Sequence, residues 1–224
     1  MNLVEYIKRG TRYIKGVPKQ MKGGVEIYVD DPLPDGISVN DFIKTAERAL
    51  PSHFFKHIDS IHIGEYDFLL RNNMKSYYKN GKIFISAADT TLPHLLFDLF
   101  HEVAHSLEKP YNEFIYGDGA LEKEFLNKRI TFERFMNVYF PETKKYSFNN
   151  TEYNKEFDEL LHKRIGYDKL RNFTDSIFVS PYAATSLREY FASGLESYIE
   201  GNREELDRLC PVLYNKIKLL YNSE

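Results

Sequence analysis

Tryptophan is absent from the 224 residues, and there is a single cysteine, Cys210. A lone cysteine excludes an internal disulfide framework and suits a reducing compartment, where its ordinary role is that of a small buried apolar side chain. No apolar run approaches the roughly 20 residues that span a bilayer. The first twenty residues contain no apolar core of the kind a secretory signal needs. A net excess of charge is missing too: the formal charge is -3 and the isoelectric point about 6.2, so no global basic field points to nucleic acid. Together these absences lead us to expect a soluble, cytoplasmic protein that engages neither membrane nor nucleic acid. One local imbalance stands out near the start, where Lys8, Arg9, Arg12, Lys15, Lys19 and Lys22 follow one another with no acid between Glu5 and Glu26. It reads as a solvated face or arm.

What is present suits a folded globular chain. Hydrophobic residues make up 42% and charged residues 28%, which argues against wholesale disorder. The length fits one domain of about 1–224 and allows a sizeable core. Within it, about 1–90 reads as an α/β part, with a half-buried strand over 25–29, a turn region over 30–36, a helix from an Asn40 N-cap to about Leu50, and strands over 60–63 and 82–86. The last strand is entered through Asn80-Gly81. From Thr91 the pattern becomes helical: 91–108 with Pro93 in its first turn, 120–137, 154–165, 185–199 and a final helix interrupted near Pro211. Strands preceding helices predict an α+β fold over a repeated βαβ one.

The informative stretch is Leu99-Phe100-His101-Glu102-Val103-Ala104-His105. On a helix, residues four apart share a face, so both imidazoles of H-E-x-x-H can reach one ion at about 2.1 Å. Glu102 lies slightly off that face, placed to hold a water as a general base. The apolar neighbours Leu95, Leu96, Phe97, Leu99, Phe100, Val103, Ala104 and Leu107 imply a buried helix, in which two histidines and a glutamate are costly unless paired. A zinc ion would supply that pairing, and a catalytic zinc takes a third protein ligand. The downstream segment 187–196 offers Glu189 and, two turns on, Glu196.

H-E-V-A-H followed downstream by Glu189-Tyr190-Phe191-Ala192 resembles the zinc peptidases of the anthrax lethal factor type, which include the small Pro-Pro endopeptidases. The resemblance covers roughly residues 83–108 and 178–221, where Cys210-Pro211-Val212-Leu213-Tyr214 is similar to the family's last helix. It implies a zincin-like fold, Zn2+ held by His101, His105 and Glu189, and Glu102 as the base. It further implies Tyr182, seven residues before Glu189, as the group that stabilises the tetrahedral intermediate of peptide hydrolysis. The region 109–180 then reads as a helical insertion, 91–108 as the metal-binding helix and 181–224 as the third-ligand and C-terminal helices. This chain differs from the family in carrying Ser193 where an acid is usual, in the long step from His105 to Glu189 and in lacking tryptophan.

The expectation is therefore a zinc-dependent metalloendopeptidase acting on a protein or peptide substrate. The alternative is a catalytically inactive zincin-like module that binds or regulates. Lys82 to Ala87 is either the edge strand that pairs with an extended substrate or an ordinary internal strand. Asp98 is a candidate to orient an imidazole, or a helix carboxylate facing water. His94, His53, His57, His62 and His162 form no ligand set. Nothing in the sequence names the substrate, the cleavage specificity or the oligomeric state.

Overall fold

The computed structural model describes residues 17–223. Lys8, Arg9, Arg12 and Lys15 of the basic stretch lie outside the described residues. The fold is α+β, 61% helical, with a small five-stranded mixed sheet in its N-terminal part. One compact unit ends at Pro110 and a second covers Tyr111–Ser223.

In the first unit the sheet comprises β1 (Lys19–Gln20), β2 (Glu26–Val29), β3 (Ser60–Gly64), β4 (Ser76–Lys79) and β5 (Lys82–Ser86), in the spatial order β1-β2-β3-β5-β4. β2, β3 and β5 run parallel, while β1 and β4 pair antiparallel at the two margins. Alternation along the strands sorts the side chains by face. Ile27, Ile61, Ile63, Ile83 and Ile85 are essentially buried. On the opposite face, register aligns Tyr28 with His62, His62 with Phe84 and Phe84 with Tyr77. Their rings follow that row: Tyr28 stacks on His62 at 4.8 Å and His62 on Phe84 at 5.0 Å.

The turn between β4 and β5 is the one Asn80-Gly81 foretells. Both residues take positive φ, 49° and 79°, as a two-residue hairpin of matching twist requires. The strand it closes, β4, occupies the edge, so 82–86 is internal, between β3 and β4. This settles the choice left open for Lys82 to Ala87 in favour of an internal strand.

Helix α1 (Val39–Ala49) is capped by Ser38, whose hydroxyl accepts from Asp41 N, rather than by Asn40. Asn40 lies inside the first turn and accepts from Lys19 Nζ at 2.6 Å. Both residues are good caps by type; the helix simply starts one residue beyond Ser38. After the short α2 (Asp67–Asn72), α3 (Leu92–Glu108) packs against β4 and β5. Thr91 caps α3 by accepting from His94 N, and Pro93 sits where its missing N–H has no intrahelical partner to lose. Leu95, Leu99, Val103, Ala104 and Leu107 are fully buried. Burying each large aliphatic side chain of this set contributes about 1.5–3 kcal/mol.

The second unit is helical: α4 (Asn112–Tyr116), α5 (Ala120–Tyr139), α6 (Lys155–Glu159), α7 (Tyr167–Thr174), α8 (Leu187–Ile199), α9 (Arg203–Leu209) and α10 (Pro211–Tyr221). The expected 154–165 helix begins with an Asn154 cap, but its last turns, Leu160–Ile165, are π-helical and end at Gly166 with φ 90°. α8 starts at Leu187 with Ser186 as its cap. The expected interruption near Pro211 is the boundary of α9 and α10, where proline takes the first helical position.

Charged side chains tie these helices together. Glu124 of α5 accepts from Val212 N at 2.8 Å, Leu213 N at 3.1 Å and the Tyr190 hydroxyl at 2.9 Å. A carboxylate thereby satisfies the orphan amides at the start of α10 and complements its dipole. Lys128 donates to the carbonyls of Ile177 and Leu209. Arg129, 2% exposed, donates to the carbonyls of Ser147, Phe148, Ala184 and Thr185 and lies over the Phe157 ring at 4.5 Å.

Candidate metal centre

His101 and His105 lie one turn apart on α3, and their ring centroids are 4.9 Å apart. Each is partly buried. His105 Nδ1 is 2.7 Å from Glu108 Oε1. An ionised carboxylate only accepts, so Nδ1 is the donor in this contact, and a neutral imidazole then has its lone pair on Nε2, where a metal needs it. Glu108 thus orients the imidazole, the arrangement that commonly supports a metal-binding histidine. It is buried, at 7% exposure. Sequence reading passed over Glu108, although an acid one turn after the second histidine of H-E-x-x-H was visible.

Glu102 is 4% exposed and faces β4, where Ser76 donates its hydroxyl to Oε1 at 2.7 Å. Ser76 is 26 residues away in sequence, and no motif links the two. Asp98, half-buried, borders a recess of about 360 Å³ with Lys75, Asp89, His94 and Phe97.

Glu189 sits at the third position of α8, and its own N–H donates to the Ser186 cap hydroxyl at 3.2 Å. Ser186-Leu187-Arg188-Glu189 is a capping-box pattern, which fixes the first turn of the helix. Ligand atoms of His101, His105 and Glu189 all lie within 4.8 Å of one another. No other such group of His, Cys, Asp and Glu occurs among the described residues, and Glu196 is not part of this one.

The donor set fits zinc. Two imidazole nitrogens and one carboxylate oxygen are a usual complement for a catalytic site with an open fourth position.

Tyr182 opens the one-turn helix Tyr182–Ala184 just before α8. Its carbonyl accepts from both Thr185 N and Thr185 Oγ1, and the next carbonyls, of Ala184 and Thr185, are held by Arg129. Burial, and then the negative charge of Glu189, push the Tyr182 phenol well above its ordinary value. It therefore keeps its proton and remains a donor at neutral pH. Its ring meets that of Tyr167 edge-on at 6.3 Å. Tyr167 and Tyr153 both donate to Asp158, one to each carboxylate oxygen, at 2.8 Å. These three residues come from the region read as an insertion, and sequence analysis assigned them no role.

The remaining histidines are not part of the ligand group, although the His162 ring lies 4.9 Å from that of Tyr167. His94 is exposed with its ring near Phe97; His53 is buried edge-on to Phe54; His57 and His162 are exposed. His62 bridges Ser60 Oγ at 3.0 Å and Asp30 at 3.3 Å, and Tyr66 also donates to Asp30. Ser60 is only 6% exposed and, in register, lies between Glu26 and Lys82, so this chain of contacts reads as an anchor for the sheet.

Comparison with protein family descriptions, with characterised proteins and with solved structures found no match. The chemistry of the site therefore rests on its own residues.

Proposed function

We propose that the protein is a zinc-dependent endopeptidase. The observation that carries this reading is the convergence of His101, His105 and Glu189 ligand atoms within 4.8 Å, with an H-E-x-x-H glutamate between the two histidines. His101, His105 and Glu189 would hold the ion. Bound there, zinc supplies Lewis acidity and brings the pKa of a water toward about 7.

The protein's residues do the rest. Glu102 is the base: it takes the proton of the attacking water on its carboxylate and returns it to the departing amine. Glu108 keeps His105 in the metal-binding tautomer. Tyr182, protonated, donates its O–H to the oxyanion that develops on the scissile carbonyl. The edge position, one of the two readings of Lys82–Ala87, belongs to β4. As the edge strand, β4 offers backbone groups on which an extended peptide can align. The resemblance to peptidases of the lethal factor type supports the same roles.

The first test is zinc content after purification, for the parent and for Glu189→Ala. About one equivalent in the parent and much less in the variant is the expected result. The second is cleavage of a diverse peptide mixture, expected to be lost in Glu102→Ala with zinc retained. A well-folded parent that takes up no zinc after supplementation sinks the proposal. Zinc bound without any cleavage favours a binding module, a reading to which Ser193, buried and in contact with Ser180, lends some support in place of the usual acid.

A further inference from the structure

We infer that Ser76 is the positioning residue for Glu102, an assignment that rests on the peptidase reading for its catalytic meaning. Ser76 is the first residue of the edge strand, and its hydroxyl donates to Glu102 Oε1 at 2.7 Å. Glu102 is 4% exposed, so solvent contributes little to holding its carboxylate. Ser76 is its one hydrogen-bond partner among the described residues.

A carboxylate has two oxygens, and engaging one of them fixes the plane of the group. With Oε1 tied to β4, the torsions of Glu102 are set and Oε2 is the oxygen left to take a proton. A base works only within hydrogen-bond reach of that proton, and misplacement by about 1 Å costs on the order of a hundredfold in rate. The bond joins the helix that carries the base to the strand that forms the sheet margin, two elements already packed together. Any peptide aligned on β4 would then be registered against Glu102 through the same residue.

The variants are Ser76→Ala, which removes the donor, and Ser76→Thr, which keeps a hydroxyl and suits a strand. A double-mutant cycle with Glu102→Gln, read by urea unfolding of the metal-free protein, tests the contact without any reference to turnover. Coupling of roughly tenfold in the unfolding equilibrium constant is expected for a bond to a charged acceptor. In the zinc-loaded protein, Ser76→Ala should lower kcat by about tenfold to a hundredfold, with KM and zinc content unchanged. Ser76→Thr should recover most of the loss.

Absent coupling overturns the assignment. So does full turnover in Ser76→Ala, or a loss that Ser76→Thr does not recover. If the zinc-loaded parent cleaves nothing, the peptidase reading is what fails, and the unfolding cycle alone decides whether Ser76 holds Glu102.

Discussion

Replacing Arg129 with methionine tests how the start of the helix carrying Glu189 is held. The guanidinium is 2% exposed, and it donates to four carbonyls and rests on the Phe157 ring. Removing it leaves buried carbonyls, those of Phe148 and Ala184 foremost, without a donor, at about 1–3 kcal/mol each. The ring contact adds about 1–2 kcal/mol when desolvated. Against this stands the cost of burying the cation, which lowers the Arg129 pKa from 12.5 to about 10. At about 1.4 kcal/mol per unit, that is on the order of 3 kcal/mol returned when the charge is removed. The net expectation for Arg129→Met is a loss of about 3 kcal/mol. For a chain of this size the melting temperature should fall by roughly 6–12 °C. Urea unfolding followed by far-ultraviolet circular dichroism, on metal-free protein, measures it. Because Arg129 holds the Ala184 and Thr185 carbonyls just before the Ser186 cap, zinc retention should weaken in parallel. A variant as stable as the parent would refute the reasoning, since burial of the charge would then outweigh its hydrogen bonds, as happens for some buried ion pairs.

Four further outcomes are expected. Glu108→Gln should weaken zinc binding by about 10- to 100-fold in a competition titration while leaving Glu102 in place; unchanged affinity would remove Glu108 from the site. Gly194→Ala should destabilise the protein by about 1–3 kcal/mol in urea unfolding, because an added Cβ would meet Leu213 Cγ at 2.8 Å and Ile217 Cδ1 at 3.1 Å. Gly81→Ala should cost a similar amount, since φ there is 79° and the methyl would run into the Asp59 carboxylate. Stability should also fall steeply above about pH 10. Burial, with nearby carboxylates adding to it, raises the phenols of Tyr167, Tyr182 and Tyr190, so the folded state keeps protons that the unfolded state releases. Each contributes a loss of about 1.4 kcal/mol per pH unit. Arg129, lowered to about 10, works in the opposite sense above that pH, leaving a net slope near two tyrosines' worth. A urea midpoint that stays flat from pH 9 to 11 would contradict this.

The parts of the fold legible in sequence are those whose signals are local. Thr91 with Pro93 marks the start of α3 because a cap and a missing N–H act within one turn. Asn80-Gly81 marks the hairpin because only a few residues accept positive φ. The strand on its far side, Ser76–Lys79, escaped notice. Its four residues place two adjacent tyrosines between Ser76 and Lys79, with no polar-apolar alternation to mark it, and it becomes a strand by pairing with β5. Asn40 and Ser38 are equally good caps by composition, so their order could not be read from type alone. The same division holds at the site. His101, Glu102 and His105 announce themselves through helical spacing, whereas the Ser76 contact bridges 26 residues and the Arg129 contacts to Ala184 and Thr185 bridge 55 and 56. Nothing local encodes those.

What the local signals do encode is rotational phase. An α-helix turns roughly 100° per residue, so a start displaced by one residue would swing every later side chain by that angle. Thr91 fixes the phase of the helix carrying His101 and His105, and Ser186 fixes that of the helix carrying Glu189. The donor captured by Ser186 is the backbone N–H of Glu189 itself, so the cap and the candidate ligand belong to one residue pair. Other polar contacts, one within a helix turn and the rest across the sequence, complete this at places the caps do not reach. Ser76 sets the torsions of Glu102, Glu108 sets the tautomer of His105, and Arg129 fixes the backbone leading into the Ser186 cap. A metal site needs its ligands placed to a few tenths of an ångström. Hydroxyl caps that set phase, combined with buried polar contacts that set torsion, are the means this chain would have of reaching that tolerance at the proposed site.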